Sequence, residues 1–199
     1  SLRSATMTGV DLRDAVLDEA SLIGATLHDA VLGWQSAFGA DLRGVSLQKS
    51  SLTGLDLRGV SLPETDFSGL SLLGTVFDGA LLDGSSFAGA DLTGASFQGA
   101  SLRKVSFAGA RFHETVLDEA NLDGASLAHC DLRESSLIDA DLRNADLRGA
   151  RIFKQRFTGS DLRNVALDGA ELVQCAFEDA DATGLVFGRS QPQPANDWN

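Results

Sequence analysis

A strict period of five residues governs this chain. From Leu2 to Phe187, steps of five cross 38 positions without one insertion or deletion, and 34 of them are Leu or Phe. The exceptions are Met7, Ala37, Ile152 and Ala182. Two residues before each of these positions stands a small residue in most repeats, as at Ala15, Ala20, Ala25 and Ala30. Asp, Ser or Asn commonly comes directly before it and Gly often two residues after, so the unit reads A-D-L-x-G. An α-helix wants apolar residues at 3.6-residue spacing, and Gly in nearly every turn would cost it about 1 kcal/mol each time. A flat strand wants an alternation of two. A short segment that bends once per repeat satisfies the pattern. The Leu or Phe and the small residue two earlier face inward, and Gly accommodates the turn.

In these residues the sequence resembles the pentapeptide-repeat family, over residues 1 to about 189. The resemblance implies an all-β fold, a right-handed quadrilateral β-helix in which four repeats make one coil of 20 residues. About nine coils would stack, and at the ~4.8 Å spacing of paired strands the rod would be roughly 45 Å long. Residues 190–199, with their two Pro and two Gln, leave the pattern and read as a tail or linker. Carried onto the coil, the period builds an inner ladder from Leu22 through Leu42, Leu62 and onward to Leu162, with aromatic runs at Phe67, Phe87 and Phe107 and at Phe77 and Phe97.

The formal net charge of −12 argues against direct nucleic-acid binding, which rests on Lys and Arg. No apolar run reaches the ~20 residues of a membrane span, and no signal peptide precedes the first repeat. Cys130 and Cys175 both occupy the small inward position. They are two coils and one corner apart, too far for a disulfide, and read as small core hydrophobes in a reducing, cytoplasmic compartment. His28, His113 and His129 fall at outward positions, with no two of them at metal-ligand spacing. The sequence therefore predicts no enzyme, no catalytic residue, no cofactor and no metal.

Seven repeats read D-L-R, from Asp11/Arg13 to Asp161/Arg163, and place both charges on one outer face as a soluble exterior. An outward acid such as Asp91 is expected to be nearly neutral on replacement. The most acidic face carries Asp18, Glu19, Asp56, Asp78, Asp118, Glu119, Asp139, Glu178 and Asp179, offset by Arg58 and Arg156 alone.

In a repeat protein the departures from the unit are where function is sought, because the fold explains the rest. Gln35 and Gln155 replace the small inward residue six coils apart on one edge. Beside that edge Leu73, Phe153 and Val173 share one outward column, with Trp34 and Phe38 nearby. Two readings stay open: local bulges that let Phe38 and Phe153 slide toward the core, or an exposed apolar strip suited to a protein partner. Ser1-Leu2 begins in mid-pattern, so the chain reads as a domain of a longer bacterial protein.

The first functional expectation is therefore a protein–protein interaction scaffold or adaptor. The resemblance extends to repeat domains attached to other modules, type VI secretion accessory proteins among them. The alternative it implies is an acidic DNA mimic directed at DNA gyrase or topoisomerase IV, as in quinolone-resistance members. Those members commonly dimerise through a C-terminal element, which leaves an end-to-end homodimer open. The absence of any insertion in the repeats weighs against the mimic.

Overall fold

Among the described residues, the backbone enters the left-handed region two residues after the central Leu or Phe, and this sets the shape of the repeat. The position keeps that geometry with Gly (Gly9, φ 68°) or without it (Glu114, φ 55°), which is why Gly is favoured there. An N–H···O=C bond three residues long closes the turn, as from Ala25 N to Leu22 O at 2.9 Å. The computed structural model describes residues 1–33, 37 and 39–185. Trp34, Gln35, Phe38 and the 190–199 tail lie outside the described residues.

Three further amides of each repeat bond to the neighbouring coil. Leu22 N donates to Asp41 O at 2.8 Å, Gly24 N to Arg43 O at 2.9 Å, and Thr26 N to Ala5 O at 2.9 Å. The resulting parallel bridges pair each residue with the one twenty further on, as in Thr26↔Ser46, Ser86↔Ser106 and Asp141↔Asp161. Coils of 20 residues are thus a property of the ladder itself. Because each turn interrupts pairing, most contacts are single bridges. The exceptions are β1 (Arg151–Phe153) and β2 (Glu171–Val173), which pair in parallel with Ile152 opposite Leu172. Among the described residues there is no α-helix.

The inward positions are filled as the period requires. Leu22, Leu62, Leu102 and Leu142 in one ladder are buried. Phe67, Phe87 and Phe107 stack with centroids 4.7 and 5.2 Å apart, and Phe77 stacks on Phe97 at 4.9 Å. The two columns meet edge to face, with Phe87 5.9 Å from Phe77 and 5.6 Å from Phe97, so Phe87 contacts four rings.

Most polar residues at the small inward position, Thr65, Ser135 and Gln155 apart, follow one rule. Thr75 Oγ1 donates to Leu52 O at 2.7 Å, Thr115 Oγ1 to Leu92 O at 2.8 Å, and Cys130 Sγ to Phe107 O at 3.0 Å. Each acceptor lies 23 residues back and already takes the turn bond of its own repeat, so its second lone pair receives the side chain. Ser, Thr and Cys can therefore replace Ala in the core without an orphaned donor. Cys130 and Cys175 are buried thiols, and burial pushes both up to about 11.

Removing the ring at the centre of the aromatic stack empties space that neighbouring coils cannot fill. Phe87→Ala should cost about 3–5 kcal/mol in denaturant unfolding, and Asp168→Ala, on the exposed surface, less than about 0.5 kcal/mol. Similar losses would overturn the division into inward and outward positions.

Candidate interaction surfaces

Four of the five amides in a repeat bond to backbone, and the one left over belongs to the residue after the central Leu or Phe. In many repeats that remaining N–H is met by a side chain. In the D-L-R repeats the Asp carboxylate accepts it, as from Arg148 N to Asp146 Oδ1 at 3.0 Å. The same carboxylate takes the guanidinium, with Arg148 Nε to Oδ1 at 2.8 Å and Nη2 to Oδ2 at 2.6 Å. All seven D-L-R pairs form in this way. Asp66 caps Ser68 N at 2.9 Å and Asp91 caps Thr93 N at 3.1 Å, with no arginine involved. Asp91 also accepts from Thr93 Oγ1 at 2.7 Å, so the expectation that its replacement is neutral is corrected: this outward acid closes the turn.

A second device caps the same amide from the coil before. Asp118 Oδ1 accepts from Ile138 N at 2.9 Å and Ser136 Oγ at 2.5 Å, and Asp78 does the same for Gln98 N and Ser96 Oγ. Both belong to the acidic face, so part of its charge is committed to holding coils together. Glu119 and Asp139 stand exposed one coil apart at the adjoining corner, with Gln98 Nε2 donating to Glu119 at 3.3 Å.

At the second break in the pattern, Gln155 is fully buried at the inward position. The Ser135 hydroxyl lies 2.9 Å from its Oε1, and its Nε2 donates to Arg156 O at 3.3 Å. The register of β1 on β2 runs through without an extra residue, so Phe153 stays at its outward position opposite Val173. It is half-buried beneath the Arg151 guanidinium, whose carbon lies 5.6 Å from the ring centre. The structure thus brings Phe153 and Val173 together. Leu73, 38% exposed, is four coils away in the same column, with Thr93, His113 and Arg133 between.

One grouping escaped the sequence reading, which weighed histidines against one another only. His113 Nδ1 lies 3.2 Å from Glu134 Oε2, and donor atoms of His113, Glu114 and Glu134 all fall within 4.8 Å of one another. The signal was present, since Glu114 and Glu134 are twenty residues apart and therefore stack on one corner.

The twenty-residue ladder, the buried columns and the capped turns together define a β-solenoid of stacked five-residue repeats. The chain belongs to the pentapeptide-repeat family: residues 80–157 match the pentapeptide repeat region model, and residues 1–33 and 40–79 the eight-copy pentapeptide repeats model. Among solved structures it is similar to a trypsin-treated form of QnrB1, a plasmid-mediated fluoroquinolone resistance protein, at 13% identity and a TM-score of 0.55, over 96% of this chain and 92% of that one. It is also similar to HetL, a pentapeptide repeat protein involved in heterocyst differentiation regulation from the cyanobacterium Nostoc, at 23% identity, with 87% of each chain covered and a TM-score of 0.34. At 13% identity the likeness to QnrB1 shows the fold alone. The comparison with curated proteins returned no match. No helix among the described residues is long and apolar enough to cross a membrane.

The capping arrangement makes two predictions. Because the cap and not the ion pair closes the turn, Asp146→Ala should cost about 1 kcal/mol in a denaturant melt and Arg148→Ala less than about 0.5. Equal losses would make the ion pair the stabilising element. The caps also set the acid response. Hydrogen bonds from Arg13 hold the Asp11 carboxyl at about 2, against an ordinary 3.8, and Arg148 and Arg163 likewise lower Asp146 and Asp161. Carboxyls depressed in the folded state stabilise it above their ordinary range and lose that contribution as pH falls through the folded value. The melting temperature should therefore fall steadily from about pH 4 toward pH 2. A flat profile across that window would remove the capping role.

Proposed function

We propose that the chain is a non-enzymatic scaffold or adaptor: a right-handed quadrilateral β-helix of about nine coils that docks a protein partner. It would act as a repeat domain of a larger cytoplasmic bacterial protein, of the kind attached to type VI secretion accessory proteins. The observation that carries this reading is the Phe153–Val173 pair. Here two large apolar side chains stack on successive coils at an outward position that is most often polar, charged or small elsewhere, and no bulge draws them into the core. Trp34, Phe38 and Leu73 extend the proposal along the rod. Aromatic anchors at the centre of an interface typically lose at least about 2 kcal/mol on truncation, roughly thirtyfold in affinity, whereas rim charges lose little.

Phe153→Ala and Trp34→Ala should weaken binding of a partner captured by the full protein and identified by mass spectrometry, with the melting temperature nearly unchanged. Normal binding together with a melting point several degrees lower would make both residues packing elements and defeat the adaptor surface.

A second reading, the DNA mimic, is favoured by the exposed acids Glu119, Asp139, Glu178 and Asp179 on one face. It is placed second because Asp78 and Asp118 of that face are tied to the next coil. In a gyrase supercoiling assay the protein should not inhibit. Dose-dependent inhibition abolished by Glu119→Lys and Asp139→Lys, which leave the inter-coil caps intact, would reverse the order of the two readings.

A further inference from the structure

We propose that His113, Glu114 and Glu134 form a surface site for a divalent transition-metal ion, zinc in particular, clamped across the boundary between two coils. Three observations lead there. The first is the donor set: one imidazole and two carboxylates, gathered within 4.8 Å from two successive coils. The second is the edge already formed. A tetrahedral zinc ion with bonds of about 2.0–2.2 Å to nitrogen and oxygen separates its ligand atoms by about 3.3–3.6 Å. His113 Nδ1 and Glu134 Oε2 are 3.2 Å apart, so these two donors already lie close to a coordination edge.

The third is the second carboxylate. A simple imidazole–carboxylate pair accounts for His113 and Glu134 but not for Glu114, whose side chain adds a like charge to the same small volume. Arg133, next in sequence to Glu134 and one coil from His113 in the same column, is held by Asp131 with Nη2–Oδ2 at 2.6 Å, while its charge also acts on Glu134. Two adjacent carboxylates with an imidazole beside them offer a donor set for a cation, and a nitrogen in the set selects a borderline metal over calcium, which prefers oxygen ligands alone.

The backbone sets the spacing of the two glutamates. Glu114 and Glu134 occupy the same turn position one coil apart, with φ of 55° and 61°, so their Cα–Cβ vectors are parallel and their spacing is that of the ladder. His113 and Glu134 are 56% and 59% exposed, so an ion can enter from solvent. A shallow cavity of about 320 Å³ opens beside His113, lined by Thr93, Arg111, Phe112 and Arg133, and leaves room for the fourth ligand, a water or a group from outside.

The test uses the full chain stripped with a chelator and titrated with zinc chloride in a calorimeter. One ion per chain should bind, and His113→Ala, Glu114→Gln and Glu134→Gln should each weaken it at least about tenfold. Glu119→Gln serves as the control, since Glu119 stacks with Asp139 at the next corner without a histidine and its loss should change nothing. All four side chains are exposed, so the variants should melt like the wild type without metal. Zinc should raise the melting temperature of the wild type and of Glu119→Gln only. Absence of binding below millimolar zinc, binding that survives His113→Ala, or equal weakening by Glu119→Gln would each overturn the proposal.

Discussion

The backbone of this protein can bond to its own next coil only if the chain advances twenty residues per turn, and every other feature answers to that constraint. In each repeat two amides reach one neighbouring coil, one reaches the other, and a fourth closes the turn, as Leu22, Gly24, Thr26 and Ala25 illustrate. A slip of one residue would carry an inward Leu to the outside and break all of these bonds together. The unbroken spacing from Leu2 to Phe187 is the sequence record of that penalty. Because each coil touches only its neighbours, stability is shared out along the rod rather than gathered at one centre.

The fifth amide explains the outer surface. It is the N–H that the ladder cannot use, and the side chain that reaches it most economically is an Asp two residues earlier, whose short carboxylate folds back on its own turn. Glu is too long for that geometry, and every one of the seven charged repeats carries Asp at this position. The arginine is then a secondary partner, drawn to a carboxylate already fixed by the turn. In some repeats without such an Asp, an acid of the preceding coil takes over, as Asp83 does for Arg103 N at 3.1 Å. Charge that resembles solubilising decoration is therefore largely turn chemistry.

How much of this was legible in the sequence follows from the range of each interaction. Inward and outward positions, the aromatic columns at Phe87 and Phe97, and the buried thiols at Cys130 and Cys175 depend only on phase within the repeat, and phase can be read directly. The capping role of Asp91 was missed because nothing in a five-residue pattern says which amide the ladder leaves unbonded. The fate of Phe153 was ambiguous for a similar reason. A bulge and a continuous strand have the same local sequence, and the register of Phe153 on Val173 decides between them. The grouping of His113 with Glu134 spans two coils and needs a comparison at 20 and 21 residues rather than at five.

That last point bears on how such a rod acquires function. Inward residues are bound by packing and the residue before them by the bridge, so variation is left to the two turn positions that follow. Seventeen described turn residues other than Gly adopt a positive φ, and every one is polar or charged. Each carries a side chain where Gly would be free of strain, which costs backbone energy but changes nothing inside. A substitution there meets its counterpart on the next coil at the fixed spacing of the ladder. Pairs and triads can therefore be assembled one residue at a time without disturbing the core. A binding site on this fold is then a column property, composed by residues that are distant in sequence and exact neighbours in register, as Glu114 and Glu134 are.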